Sequence, residues 1–469
     1  MKLRSLVIFC VGLLLAAPSW AQGPTGQETC PHEKGWKPTN EELQQVISDH
    51  KAWLGKDARE RENDLKGKAN LCNADLSGAE LNHANLSRAK LNNANLSKAE
   101  LNNADLSSAG LNHANLAGEK LNNANLSWAE LNNADLSKAE LNHAKLIGTK
   151  LNNANLSEAE LTGADLLGVV LNNANLYVAK LNNANLGIAE LNNANLALAE
   201  LNNADLLGAE LNNANLNSTK LKDATIADST LTNAIYAPAS APPDSHVSSI
   251  KGLSTVTFPS GGETGLVQLR DLLQKAGLRD LEREATFAIE SGKTKHLLQG
   301  WEEHPPSTAE RAEGAFRYTA FDLTTAYGLR PARALLLILA LWALLIPIYA
   351  WPIWQPRRPI TASSICRIWP NQRVEVRDDR LTLDNPARVE RLHERGLGAV
   401  GWAAYFSLLS TFQIGFREFS VGTWLSRAQP RNFVLEATGW VRTVSGMQSL
   451  LSVYLLAMWL LTYFGRPFQ

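Results

Sequence analysis

The sequence predicts a solenoid of stacked coils followed by an α-helical membrane region. Three observations support this prediction: a five-residue repeat through the middle of the 469-residue chain, a short apolar stretch at the N-terminus, and long charge-free stretches near the C-terminus. The net charge is −1, with 45 Lys+Arg against 46 Asp+Glu. The whole chain therefore has no electrostatic preference for nucleic acid.

Residues 1–21 are typical of an export signal. Lys2 and Arg4 precede an apolar run over residues 6–17, and Ser-Trp-Ala at 19–21 offers a small-x-small cleavage site. The apolar run is too short to span a bilayer comfortably. We expect the signal to be cleaved, and an uncleaved N-terminal anchor is the alternative.

Residues 22–68 are predicted to cap the start of the solenoid. A short amphipathic helix is expected from Asn40 to Leu54, with Thr39 or Asn40 as its N-cap. Cys30 and Cys72 flank this segment and would meet an oxidising compartment after export. A disulfide between them and two unrelated buried thiols are both compatible with the sequence. No Cys/His spacing indicates a metal site.

From about Ala69 to Tyr236 the chain repeats every five residues. Leucine recurs at this spacing from Leu71 to Leu221, and alanine stands two residues before most of these leucines. In an α-helix a five-residue step rotates the side chain by about 140°, and in a straight strand it points successive leucines to opposite faces. Neither element buries them all. The chain must therefore bend once per repeat, as a solenoid with leucine and alanine inside.

This repeat resembles the pentapeptide-repeat family, whose pattern is A-(N/D)-L-x-x. Residues 74–78 read Ala-Asp-Leu-Ser-Gly and residues 94–98 read Ala-Asn-Leu-Ser-Lys, and both fit the pattern. The resemblance implies a right-handed quadrilateral β-helix over residues 69–236, with four repeats per coil. Its coils would stack at about 4.8 Å through strand-like hydrogen bonds.

With four repeats per coil, residues twenty positions apart stack on one face. One such column mixes glutamate with lysine, and we expect it to be solvated and partly paired. Its members are Glu80, Glu100, Lys120, Glu140, Glu160, Lys180 and Glu200. Paired asparagines such as Asn92-Asn93 are predicted to be structural, forming amide ladders between coils. His83, His113 and His143 alternate between opposite faces and form no joint metal site.

Residues 237–261 are rich in Pro and Ser and are predicted to be a linker. Residues 262–330 place leucines at helical spacing and predict one or two amphipathic helices that join the rod to the membrane. These leucines are Leu266, Leu269, Leu272, Leu273, Leu278 and Leu281.

Residues 331–469 are predicted to be a transmembrane domain. The stretches 334–354 and 443–465 are charge-free and flanked by arginine, as expected for membrane spans. Between them, residues 397–416 are also charge-free but are interrupted by Gly, Ser and Thr. A third span and a re-entrant segment are both compatible with this weaker stretch.

The arrangement of a strong, a weak and a strong apolar segment resembles the two-helix pore domain of tetrameric cation channels. It implies a pore-like segment formed by Ser410, Thr411, Gln413, Ile414, Gly415, Phe416 and Arg417. In that family a glycine follows the aromatic residue and backbone carbonyls coordinate the ion. Here Arg417 and Glu418 follow Phe416, so potassium selectivity is not implied. The family also places this segment outside, whereas the arginine-rich loop 355–396 indicates the cytoplasmic side after export.

The sequence contains no phosphate-binding glycine loop, zinc-protease motif or nucleophile-elbow serine, and we predict neither an enzyme nor a cofactor. We expect a multi-pass protein of the bacterial inner membrane whose periplasmic rod is a scaffold for a protein partner in the envelope. The alternative is an ion-channel-like pore or transport component, built as a homo-oligomer of the C-terminal helices. A DNA-mimicking topoisomerase inhibitor ranks third, because mimicry needs a strongly acidic cytoplasmic rod.

Overall fold

The computed structural model describes residues 30–64, 67–243, 246–300, 305–355, 364–368, 374–377, 380–383, 389–411 and 434–464. The predicted export signal, residues 1–21, lies outside the described residues. The chain divides into two compact units, Met1–Gly292 and Lys293–Gln469.

The first unit is dominated by a rod of stacked coils. Parallel bridges join residues twenty positions apart, such as Asn70 to Lys90 and Asp75 to Asn95. The Leu71 N–H donates to the Lys90 carbonyl at 2.8 Å, and the Lys90 N–H donates to the Ala69 carbonyl at 3.0 Å. One coil is therefore twenty residues, or four five-residue sides. The repeat leucines are buried inside, and each contributes about 1.5–3 kcal/mol when fully buried.

The two residues that follow each leucine, often a pair of asparagines, close the corners of the coil. The second residue after leucine takes a left-handed backbone, as at Asn93 with φ 59° and Asn103 with φ 58°. Asparagine and glycine tolerate this conformation better than other residues. The next residue then donates its N–H back to the leucine carbonyl, as from Ala94 to Leu91 at 3.1 Å.

The N-terminal cap is helix α1 (Asn40–Leu54), followed by the short α2 (Ala58–Asn63). Thr39 is the N-cap of α1, and it forms a capping box with Glu42. His50 and Trp53 of α1 are buried. The His50 ring hydrogen-bonds to the Ser87 carbonyl and to the Ala69 N–H, both at 3.0 Å. The helix therefore covers the first coil, as the sequence predicts.

The predicted linker, residues 237–261, needs a correction because it continues the rod. Thr230 bridges to Lys251 and Ile235 bridges to Thr257, so this segment pairs in parallel with the last coil. A 3-10 turn spans Leu253–Thr255. The proline and serine content predicts a flexible connection. An isolated bridge requires extended backbone at one residue only, and this composition permits it.

Helices α3 (Glu263–Lys275) and α4 (Arg279–Gln299) follow in the region predicted as amphipathic. Three leucines of α3 are buried: Leu266, Leu269 and Leu273. The backbone of α3 packs closely on the end of the rod, because a Cβ on Gly265 would lie 2.6 Å from Cδ of Pro238. The C-terminal opening of the solenoid is thus covered by a helix.

The second unit contains α5 (Thr308–Arg317), a π-helical turn (Tyr318–Asp322) and a final turn (Leu323–Thr325). It then contains three apolar helices: α6 (Ala332–Trp354), α7 (Leu397–Thr411) and α8 (Trp440–Phe464). Among the described residues, α6 and α8 are long and apolar enough to cross a membrane, judged by length and composition. They correspond to the predicted spans, and α7 corresponds to the weaker segment.

The described residues between these helices form five short strands: β1 (Ile365–Ile368), β2 (Val374–Arg377), β3 (Arg380–Leu383), β4 (Val389–Arg391) and β5 (Val434–Ala437). An antiparallel sheet has the order β4-β1-β5, and β2 pairs with β3. The apolar core of the second unit joins α6, α7 and α8 around Tyr349 and Phe406, whose rings meet edge to face. These strands were not predicted from the sequence.

Candidate functional site

Two opposite edges of the rod are built from asparagine and are structural. Their side-chain amides form ladders along the rod axis: Asn102 Nδ2 donates to Asn82 Oδ1 at 3.1 Å, and Asn152 Nδ2 donates to Asn132 Oδ1 at 2.9 Å. The same acceptor oxygens take backbone N–H groups from the next coil. These amides are engaged with one another, as the sequence predicts. We call these two edges the polar edges.

The mixed column of glutamate and lysine is paired along the rod. Glu100 accepts from Lys120 Nζ at 2.8 Å and from Asn82 Nδ2 at 3.0 Å. The hydrogen bond from Lys120 holds the pKa of Glu100 below its ordinary value. Equivalent contacts join Lys180 to Glu160. This face presents mixed, locally neutralised charge rather than a continuous acidic strip.

A third edge is apolar over the second half of the rod. We define this apolar edge by Trp128, Ile147, Leu167, Ile188 and Leu207, which occupy the same corner of successive coils. The bulky side chains pack against glycines of the next coil. A Cβ on Gly148 would lie only 2.6 Å from the Trp128 ring, and one on Gly187 would lie 3.2 Å from Leu167. Trp128 is still 48% exposed. The result is a continuous strip that faces outward.

The edge diagonally opposite carries a smaller apolar patch. It consists of Tyr177, Val178, Ala197 and Leu198 on two adjacent coils, half a coil away from the apolar edge. Tyr177, Val178 and Leu198 are exposed. Because this patch covers two coils only, it offers less contact area than the apolar edge.

The apolar corner residues stand where the local backbone favours other residue types. Trp128, Val178, Ile188 and Leu198 take positive φ angles of 63°, 60°, 50° and 60°. A left-handed backbone costs about 1–2 kcal/mol for residues other than glycine and asparagine, and β-branched residues there are outliers. Their side chains add nothing to the leucine core. Neither the coil nor its core accounts for these residues, of which Trp128 and Ile188 belong to the apolar edge and Val178 and Leu198 to the smaller patch. Because the apolar edge extends over more coils than the patch, it is the candidate interaction surface.

One carboxyl group lies inside the rod. Glu119 replaces an alanine of the repeat, and its side chain is 0% exposed. Its Oε2 accepts the Ala99 N–H at 3.1 Å, whereas Oε1 has no hydrogen-bond partner among the described residues. Burial raises the pKa of Glu119 to about 9, so the group is neutral at pH 7. Sequence reasoning missed it, although the break in the alanine series was visible.

The residues singled out from the sequence fall in two places. Cys30 and Cys72 lie together at the N-terminal cap, with Cα atoms 5.5 Å apart and their sulfurs bonded. Of the pore-like segment, Ser410 and Thr411 belong to α7, and their hydroxyls contact side chains of α8. Gln413, Ile414, Gly415, Phe416 and Arg417 lie outside the described residues. Within the described ranges, no group of three or more His, Cys, Asp or Glu side chains is placed to hold a metal ion.

Sequence reasoning also missed a buried polar seam in the second unit. Gln448 of α8 is 2% exposed. Its Nε2 donates to Thr411 Oγ1 at 2.8 Å and to the Ser407 carbonyl at 3.0 Å, and its Oε1 accepts from Tyr349 at 2.7 Å. The signal was a polar series at helical spacing within an apolar stretch: Ser445, Gln448, Ser449 and Ser452.

The coil geometry defines a repeat protein built from five-residue units, and the comparisons agree. A family model described as Pentapeptide repeats matches in 8 copies that together span residues 67–228. Among solved structures, HetL, a pentapeptide repeat protein involved in heterocyst differentiation regulation from the cyanobacterium Nostoc, is 27% identical. The match covers 39% of this chain and 93% of HetL, with a TM-score of 0.29.

Two further structures are similar over part of the chain. A trypsin-treated form of QnrB1, a plasmid-mediated fluoroquinolone resistance protein, is 18% identical over 41% of this chain and 93% of its own, with a TM-score of 0.29. Rfr23, a pentapeptide repeat protein from the cyanobacterium Cyanothece, is 39% identical over 24% of this chain and 62% of its own, with a TM-score of 0.13. A search of curated proteins finds no match.

The repeat region of this chain belongs to the pentapeptide-repeat family, whose members fold as right-handed quadrilateral β-helices. This assignment depends on the repeat match and the coil geometry, because the TM-scores are too low to add to it. The comparisons do not support the resemblance of the C-terminal unit to channel pore domains.

Proposed function

We propose that the protein is a non-enzymatic scaffold of the cell envelope, held at the inner membrane by α6 and α8, with its rod on the periplasmic side. The rod binds a protein partner through the apolar edge. The observation that carries this proposal is the outward strip of bulky apolar residues on five successive coils, in which Trp128 and Ile188 take left-handed corners where the fold favours asparagine or glycine. A partner with an apolar surface removes these side chains from water.

Membrane anchoring is supported by the surface of the spans. Leu336 of α6 is 63% exposed and Leu450 of α8 is 74% exposed. In water such long apolar faces are unfavourable, whereas in lipid they are solvated. Export is supported by the signal-like residues 1–21 and by the paired Cys30 and Cys72, since disulfides persist in oxidising compartments.

Neither alternative gains a specific observation. The two described residues of the pore-like segment, Ser410 and Thr411, are buried and bonded to side chains of α8. A DNA mimic needs a continuous anionic strip, and the glutamates of the rod are interleaved with lysine partners such as Lys120 and Lys180. We therefore put forward the scaffold alone.

The proposal is tested by site-specific photo-crosslinking in the full-length, membrane-inserted protein. A photoreactive amino acid replaces Leu167 on the apolar edge, and the same amino acid replaces Asn193 on a polar edge as a matched control. We expect one defined protein adduct from position 167 and none from position 193.

The adduct must depend on the chemistry of the edge. Leu207→Asp, two coils from Leu167, should abolish it, whereas Asn193→Asp adds the same charge on a polar edge and should leave it unchanged. Equal crosslinking from positions 167 and 193, or an adduct insensitive to Leu207→Asp, would contradict the proposed surface.

A further inference from the structure

We infer that α7 enters the membrane but is not a third span: α7 and β5 begin on the same side of the bilayer, so that the unit spans the membrane twice, through α6 and α8. This inference rests on the proposed membrane anchoring by α6 and α8. It resolves the two alternatives left open by the sequence, a third span and a re-entrant segment.

The three-stranded sheet fixes the side on which the chain leaves and re-enters the helices. β1 follows α6, β4 precedes α7, and β5 precedes α8, yet all three strands pair directly. Cys366 of β1 is in register with Arg391 of β4 on one side and with Glu436 of β5 on the other. Strands that share hydrogen bonds lie on one side of a membrane. A complete third span over residues 397–433 would separate β5 from β1.

Contacts at the helix ends agree with the sheet. The C-terminal end of α6 is tied to the segment before α7, because Arg391 Nη2 donates to the Pro352 carbonyl at 2.7 Å and the His393 ring contacts the Ile353 carbonyl at 3.0 Å. The start of α8 is tied to β1, because the Thr438 N–H donates to the Ser364 carbonyl at 2.9 Å. The end of α6 and the starts of α7 and α8 therefore meet at one level.

Residues 397–433 are too few for two complete crossings. They number 37 and four of them are Arg or Glu, whereas two spans need about 40 apolar residues. The described part of α7, Leu397–Thr411, rises about 22 Å at about 1.5 Å per residue, less than a hydrocarbon layer of about 30 Å. Thr411 therefore lies inside the bilayer, where an unsatisfied carbonyl or hydroxyl costs several kcal/mol and needs a donor from a neighbouring helix.

The polar seam supplies those donors. Ser449 Oγ of α8 donates to the Ser410 carbonyl at 2.6 Å in the last turn of α7, and Gln448 Nε2 donates to the Ser407 carbonyl at 3.0 Å. Ser410 and Ser445 also join their hydroxyls at 2.9 Å. These donors lie beside Ser407 and Ser410, at a depth where water is absent and such partners are needed.

The topology is tested in the full-length protein by cysteine labelling from one side of the membrane. Cysteine is introduced by Ala309→Cys, by Glu390→Cys, or as one residue appended after Gln469. Ala309 and Glu390 are exposed, and native Cys366 is buried, so the unmodified chain sets the background. The probe is a membrane-impermeant maleimide added to intact spheroplasts and to permeabilised ones.

We expect the cysteines at position 309 and at the C-terminus to label from the same side and the one at position 390 from the opposite side. If the C-terminal cysteine instead labels with position 390, the unit spans the membrane three times and the inference fails. If all three label equally before and after permeabilisation, membrane anchoring itself fails. The two failures are thus distinguishable.

The role of Gln448 is tested by the reactivity of a cysteine introduced by Ser410→Cys toward a membrane-permeant maleimide. Gln448→Leu should raise its labelling rate about tenfold, because the end of α7 loses its main donor. Met447→Leu, on the exposed side of α8, is the matched control and should leave the rate unchanged. An equal rate in both variants would contradict the proposed anchoring of α7.

Discussion

At the scale of single residues, the corners of the rod show which residues the backbone favours and which side chains the surface presents. Most corners hold asparagine or glycine in a left-handed backbone. On the polar edges the asparagine just before the left-handed residue, such as Asn102 or Asn152, joins adjacent coils through its side-chain amide. Where Val178 or Ile188 takes the left-handed position, the same backbone is less favourable. An apolar residue at these positions therefore lowers the stability of the rod while it provides an apolar surface.

Replacing Ile188 by asparagine should stabilise the rod and weaken partner binding. The expected gain is about 1 kcal/mol, because asparagine adopts the left-handed backbone more readily than a β-branched residue. Thermal unfolding of the full-length protein in detergent, followed by circular dichroism, measures the change. The reverse substitution on a polar edge, Asn193→Ile, should destabilise by a similar amount. A lower melting temperature for Ile188→Asn would refute this explanation of the corner residues.

Glu119 should make the rod less stable as pH rises. Its pKa is raised to about 9 in the folded state from an ordinary value of 4.5, so the folded rod keeps a proton that the unfolded chain releases. The contribution is complete below about pH 4.5 and declines as pH rises through the folded pKa. Glu119→Gln should remove this decline, and Glu119→Ala should also raise stability by about 1–3 kcal/mol.

Unfolding of both variants and of the unmodified chain between pH 5 and pH 9 measures the effect. Glu158→Gln serves as the control, because that carboxylate lies outside the core. An unmodified rod whose stability rises over this range, with no difference in Glu119→Gln, would contradict the assignment of a protonated buried carboxyl.

At the scale of elements, both ends of the solenoid are covered by helices, α1 at the start and α3 at the end. Open coil ends expose unpaired backbone groups that invite association with other chains. The N-terminal cover depends on His50. Its Nδ1 accepts the Ala69 N–H, so Nε2 carries the proton donated to the Ser87 carbonyl. The ring is held neutral, and burial lowers its pKa.

The N-terminal cap should loosen in acid. Because the pKa of His50 is lowered in the folded state, its contribution is complete above the ordinary value of about 6.5 and is lost as pH falls toward the folded pKa. We expect faster hydrogen exchange at Ala69 at pH 5 than at pH 7.5, after correction for intrinsic rates. His50→Gln should remove this difference, and His113→Gln on a polar edge should keep it. A cap equally protected at both values would argue against the assigned tautomer.

Much of the element order could be predicted from the sequence, because periodicity and long apolar runs are written locally. The five-residue repeat, the helix N-cap at Thr39 or Asn40 and the apolar helices α6 and α8 are of this kind. The segment that contains Lys251 and Thr257 was not predicted to be a coil, because it pairs with the rod through isolated bridges and has no five-residue repeat. The contacts of Gln448 depend on three helices distant in sequence, so its partners were not predictable. The apolar edge becomes visible only when residues twenty apart are stacked.

At the scale of the whole molecule, two features support the proposed scaffold. The glutamate–lysine column of the rod carries little net charge, and the outer faces of the spans are apolar. The proposed binding surface of the rod is its apolar edge. The topology of the membrane spans determines which compartment that edge faces. A partner in the envelope can meet the edge only if the rod is exported. Compartment is therefore the property on which the scaffold proposal depends most.

The most direct measurement is a pair of reporter insertions between Pro305 and Pro306 of the full-length chain, beyond the rod and before the first span. Alkaline phosphatase at this site is active only outside the inner membrane, and β-galactosidase is active only in the cytoplasm. The account predicts an active phosphatase and an inactive β-galactosidase. An active β-galactosidase with an inactive phosphatase would place the rod in the cytoplasm and contradict the proposed scaffold of the envelope.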